Sequence, residues 1–102
     1  MIAIFVSTAV AQEFRGTVSG TVTDPNGAVV PGASVTVKNT QTNASNTVTS
    51  SDEGAYTVPF LVPGTYMITA TASGFKTSTI ENVTVKVDDR LKVDLALQVG
   101  TA

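Results

Sequence analysis

The sequence predicts an all-β protein, a seven- to eight-stranded antiparallel β-sandwich of Greek-key type. Three observations carry this reading. Thr and Val dominate while helix formers such as Leu, Glu and Lys are sparse, and β-branched side chains suit a pleated, half-buried surface. Apolar residues recur at every second position, the period of a strand and not of a helix. Turn residues interrupt these runs at intervals of roughly ten residues, as they do between the strands of a sandwich.

The bulk numbers fit one folded domain. The chain has 102 residues, of which 42% are hydrophobic and 14% charged. That is enough for a single modest core and too apolar for a disordered chain. Net charge is −2 and no basic stripe exists, so nucleic acid is not an expected partner. Cysteine and histidine are both absent. This chain therefore has no disulfide, no thiol nucleophile, no histidine general base and no Ser-His-Asp triad, and most zinc sites are excluded.

Residues 1–11 differ from the rest. Ile2 to Val6 is an apolar run, and Ala9-Val10-Ala11 has the small-x-small pattern that precedes a signal-peptidase cut. No Lys or Arg precedes the run. The segment reads as the remnant of an export signal whose start lies upstream, with a frayed apolar N-terminus or an added first strand as the alternative. Residues 12–100 are then the domain, placed outside the cytoplasm. The apolar run is far short of the about 20 residues needed to span a bilayer as a helix, so no transmembrane segment is expected.

Strand one is expected from Phe14 to Thr23. Phe14, Gly16, Val18, Gly20 and Val22 share one face, and the two glycines on it point to close approach of another strand or a bulge. Asp24-Pro25-Asn26-Gly27 is a turn, followed by a short apolar loop and a second turn at Pro31-Gly32. Ala33, Val35 and Val37 then face inward on strand two. Asn39 to Asn46 reads as a polar loop, and Thr47 to Ser51 as a weak edge strand around Val48.

Residues 52–75 are the most informative stretch. Asp52-Glu53-Gly54 is an acidic turn. Tyr56, Val58 and Phe60 share one face of a strand by period two. Val62-Pro63-Gly64 breaks that strand, and Tyr66, Ile68, Ala70 and Ala72 line the next. Two strands with aromatics on one face need a facing sheet to cover them. After Gly74-Phe75 comes a segment to Ile80, then Val83, Val85 and Val87 in alternation, and a polar turn at Asp88-Asp89-Arg90. Leu91, Val93, Leu95, Leu97 and Val99 are expected to form one long final strand.

Four motifs in order resemble a known family. Gly20-Thr21-Val22-Thr23-Asp24 with Gly27 and Pro31-Gly32-Ala33-Ser34-Val35-Thr36-Val37, then Asp52-Glu53-Gly54-Ala55-Tyr56, then Pro63-Gly64-Thr65-Tyr66, then Ser73-Gly74-Phe75 are similar to the carboxypeptidase regulatory-like domain over roughly residues 14–99. The resemblance implies a transthyretin-like, prealbumin-type sandwich of the carbohydrate-binding-like fold group. It implies no peptidase activity, because the zinc ligands and glutamate of the enzymes that lend the family its name lie in a separate domain. A Thr-rich version behind an export signal looks most like the N-terminal domain of TonB-dependent, Oar-like outer-membrane receptors. The role this implies is a non-catalytic periplasmic or extracellular module, serving protein contact or positioning, whole or as a fragment. Its partner would be the receptor's plug and barrel or another envelope protein. A carbohydrate-binding or adhesin-like module of a secreted protein is the alternative.

The residues suggest no catalytic, cofactor-binding or metal site. Asp52, Glu53, Asp88 and Asp89 carry oxygens of the kind calcium takes, but acidic turns are commonly just solvated loops. Asp24-Pro25-Asn26-Gly27 lacks the remainder of a calcium loop. Phe14, Tyr56, Phe60, Tyr66 and Phe75 would be the rings of a sugar-stacking platform, yet alternation assigns Tyr56, Phe60 and Tyr66 to the core. Asn43-Ala44-Ser45 and Asn82-Val83-Thr84 match the N-glycosylation pattern and are read as chance. An internal Lys–Asn amide crosslink would need Lys on strand one and Asn on the last. Here stand Arg15 and Asp94.

Overall fold

The computed structural model describes residues 16–100. Residues 1–11, with Phe14 and Arg15, lie outside them, so the expected signal remnant and the start of strand one do too. The described residues form eight strands and no helix. In chain order they are β1 (Gly16–Thr23), β2 (Ser34–Asn39), β3 (Ser45–Thr49), β4 (Ala55–Leu61), β5 (Gly64–Thr71), β6 (Ser78–Val85), β7 (Arg90–Lys92) and β8 (Leu95–Ala96). One sheet has the order β4-β1-β7, with β8 also on β1, and the facing sheet has the order β3-β2-β5-β6. The expected β-sandwich is therefore the observed architecture.

The core lies between the sheets. Val18 and Val22 of β1, Val35 and Val37 of β2, Tyr56 and Val58 of β4, and Tyr66, Ile68 and Ala70 of β5 are buried at alternate positions, as period two requires. Val30, Ala33, Leu61, Val85, Leu95 and Leu97 complete it. Both expectations for the glycines of β1 hold. A side chain on Gly20 would run into the carbonyl of Val93, and one on Gly16 into Val85. Between Gly16 and Val18 the β1–β4 register also shifts.

Four expectations are corrected. Phe60 is exposed and Leu61 takes the core position. Val18 pairs with Val58 and Gly16 with Leu61, so β4 spends one extra residue there, a bulge. Pro59 sits in it, where a missing N–H is tolerated. Phe60 adopts φ 63°. Second, Val87 is exposed, because the chain turns at Asp88, φ 59°, before β7. Third, the last alternating run is not one strand. β7 and β8 both pair parallel to β1, which departs from a purely antiparallel sandwich, and Val93-Asp94 interrupts them. Val99 is exposed and only bridges Phe75. Fourth, Asn39 belongs to β2 and is buried.

The sandwich is closed unequally. On one side β6 leads into β7, Thr17 donates its N–H to Asp89 at 2.8 Å, and Lys76 donates to Gln98 at 2.8 Å. On the other side the edge strands β3 and β4 lie next to each other without a ladder between them.

Candidate functional site

The open side is built from three local features. The first is β3, Ser45-Asn46-Thr47-Val48-Thr49, exposed at every residue except half-buried Val48. Alternation of its ladder can be read from the flanking bonds. Ser50 N–H donates to Ala33 and Ser50 carbonyl accepts from Gly32, while Ala44 carbonyl accepts from Asn39. With Val48 opposite Val35 and Asn46 opposite Val37, the backbone groups of residues 46 and 48 point at β2. Those of Ser45, Thr47 and Thr49 therefore point away from the sheet and have no backbone partner among the described residues.

The second feature is the β4 bulge. It turns the ring of Phe60 outward, 60% exposed, and Val62 follows at 49%. A bulky residue at positive φ is unfavourable, so the outward ring is held against a backbone preference. The third feature is the space between. A cleft of about 430 Å³ is lined by Asn46, Thr47 and Val48 on one side and by Val58, Pro59 and Phe60 on the other. A smaller one of about 150 Å³ continues past Phe60 to Asn39 and Tyr66. No charged side chain lines either.

The seam is held by hydrogen bonds that alternation alone does not reveal. Asn39 Oδ1 accepts the N–H of Gln41 at 2.8 Å and of Thr42 at 3.1 Å, which shapes the turn into β3. Ser50 Oγ donates to Val30 carbonyl at 2.7 Å and accepts Ala33 N–H at 2.8 Å, fixing the strand's far end. Tyr66 Oη donates to Val62 carbonyl at 2.6 Å. The sequence signal that could have exposed the bulge is Pro59 within an otherwise regular run.

A second concavity, of about 280 Å³, lies on the outer face of the other sheet. Ser19, Thr21 and Thr57 line it with Arg90 and Lys92 beside them. Below it, Tyr56 Oη donates to Val93 carbonyl and Thr21 N–H donates to Asp94 Oδ1 at 3.0 Å. These bonds staple the break between β7 and β8 onto β1. Burial, with the Asp94 carboxylate adding to it, pushes the Tyr56 hydroxyl up from 10.0 to about 12. It stays protonated at neutral pH and acts as a donor, not as a base.

The remaining candidates do not converge. Gly54, beside Asp52 and Glu53, accepts a bond from Val22 at one end of β1, and Asp89 accepts one from Thr17 at the other. The two acidic turns are thus separated by the length of the strand. Among the described residues no group of three potential metal ligands exists. Asp24 Oδ1 accepts the N–H groups of Asn26 and Ala28, each at 2.9 Å, and is spent on its own turn. Phe14 lies outside the described residues; among those described, Tyr56 and Tyr66 are buried, Phe60 is exposed and Phe75 lies beside Val99, so they expose no common stacking face. Asn43 and Asn82 have φ of 64° and 59°. Asparagine tolerates that conformation better than most residues, which gives both a backbone reason to be there.

The comparisons with known proteins concern this same sandwich. The family model described as carboxypeptidase regulatory-like domain matches residues 17–98. No curated protein matches the chain. Among solved structures, the Bacillus anthracis TIE protein superposes with TM-score 0.66 at 22% identity over 83% of this chain and 16% of its own. Wild-type Acinetobacter radioresistens catechol 1,2 dioxygenase gives TM-score 0.68 at 13% identity over 85% of this chain and 52% of its own. A proposed carbohydrate binding protein from Bacteroides uniformis gives 0.65 at 18% identity, covering 80% and 40%. At these identities the likeness is one of fold. The chain spans less than two thirds of each of these proteins.

Proposed function

Because the chain belongs to the carboxypeptidase regulatory-like domain family, we propose that it works as a non-catalytic accessory module of an exported protein, the N-terminal domain of a TonB-dependent outer-membrane receptor. Its work is protein contact. The observation that carries this reading is the open seam, where an outward Phe60 at positive φ stands beside an edge strand with free backbone groups. Exposed ladder groups invite an added strand, with apolar neighbours supplying affinity. The uncharged lining of the clefts favours a protein segment over an ionic ligand.

A sugar-binding role is less well supported. Tyr56 and Tyr66 are buried with their hydroxyls engaged, so Tyr66, which lines the smaller cleft with Phe60, offers almost no exposed ring face for a sugar.

Export and location belong to the same proposal. The Ile2–Val6 run and Ala9-Val10-Ala11 support an export signal, which places the domain in the periplasm or at the outer membrane beside the receptor's plug and barrel. Two measurements test this. Sequencing the DNA that flanks the reading frame should show a plug and barrel in frame, and fractionation should find the protein in the envelope. A cytoplasmic protein without such a neighbour would contradict the proposal.

A further inference from the structure

We propose that two copies of this chain pair edge to edge through β3, antiparallel, about a two-fold axis between their Thr47 residues. This rests on the reading that protein contact is the domain's work, and it names the partner as a second copy.

Edge strands are ordinarily blunted by charge, proline, bulges or shortness. The other edges here show each device. β4 carries Pro59 and a bulge. β6 carries Glu81 and a bulge, with Asn82 at φ 59°. β7 is three residues long with Arg90 and Lys92, and β8 has two residues. β3 has none of these over its five residues.

Its free groups are also self-complementary. The outward N–H and C=O groups belong to Ser45, Thr47 and Thr49, which are symmetric about Thr47. In the pair, Thr47 exchanges both ladder bonds with Thr47 of the second copy, and Ser45 does so with Thr49 of the second copy. Spacing alone suits any antiparallel strand; the second copy also brings an uncharged strand with no proline or bulge.

The charges agree. β3 is uncharged, and Lys38, the one charge on β2, lies beside Ser45. Across the axis its row continues through Thr49 to Ser34 of the second copy, so no like charges meet. Net charge is only −2. On the cleft side Asn46 comes opposite Val48 of the second copy, above the space that Phe60 lines. One occupant thus satisfies the free ladder and covers the exposed ring.

The test is sedimentation equilibrium of the full chain over a range of concentrations, with the variants Thr47→Pro and Thr47→Lys. Proline removes an N–H that the domain's own ladder does not use, and lysine puts like charges on the axis. A monomer–dimer equilibrium is expected, with dissociation constants raised at least about tenfold in both variants and, at concentrations where the wild type is monomeric, thermal melting changed only by loss of the exposed Thr36–Thr47 hydroxyl bond. Should Thr47→Pro melt early, Thr47→Lys alone decides. A wild-type chain that stays monomeric at about millimolar concentration, the weakest range of specific association, overturns the proposal, as does a dimer that both variants leave unchanged. A monomer that still crosslinks from Phe60 to a different envelope protein would overturn the pairing and leave the protein-contact reading standing.

Discussion

Gly20 and Tyr56 show how single residues set this fold. Gly20 has no side chain because the Val93 carbonyl occupies that space, and the same carbonyl accepts the Tyr56 hydroxyl. Gly20→Ala forces backbone against backbone and is expected to cost about 2–3 kcal/mol, read from the urea midpoint. The pH dependence follows from Tyr56. Its folded value, about 12, lies above the unfolded 10.0, so the fold favours the protonated hydroxyl. That stability is present in full below about pH 10 and is lost as the pH rises toward about 12. Alkaline denaturation followed by tyrosinate absorbance should show it, and Asp94→Asn should lower the Tyr56 value because it removes the smaller of the two causes. Ser50 is a third case. Its hydroxyl serves two buried backbone groups, so Ser50→Ala leaves both unpaired and is expected to cost about 2 kcal/mol. The glycines of β1 were legible in the sequence, since small residues on a core face announce a close approach. Ser50 was not, because nothing in alternation separates a buried serine from a solvated one.

At the scale of elements, period two located the strands and failed where a residue was added or the ladder was interrupted. Tyr56 and Val58 face the core as expected, and then the bulge hands the next core position to Leu61. A bulge is one extra residue whose position is set by the partner strand, and a single chain read alone does not show its partner. The final run failed for a related reason. Leu91 to Val99 alternates, and Val93 still donates its N–H to Ser19 of β1, yet the Val93 carbonyl turns to Tyr56 and the Asp94 carboxylate takes the Thr21 N–H in place of a ladder carbonyl. The bulge itself makes a prediction. Phe60→Asn replaces a bulky residue at positive φ by one that tolerates it, so stability should hold or rise by up to about 1 kcal/mol. A loss of more than about 2 kcal/mol would fall among core effects and show that the ring contributes to packing within the domain.

For the whole molecule, the decisive property is unequal closure. The β6–β7 side is sealed by chain connections and backbone bonds, while the β3–β4 side keeps free ladder groups, an outward phenylalanine and an uncharged cleft. The sequence foretold half of this. Thr47 to Ser51 read as an edge strand, and β3 is one, though it starts at Ser45. Alternation assigns Phe60 to the core, and the seam exists only where the two edges lie side by side in the folded chain. The family resemblance supplied the sandwich, but a family pattern built on turns says little about which edge stays open. The most direct test of a contact surface at the seam is crosslinking in producing cells from a photoreactive phenylalanine analogue placed at position 60, compared with one at the exposed position 76. A discrete protein adduct is expected from position 60 and none from position 76. No adduct from position 60, or equal adducts from both, would contradict a contact surface at the seam.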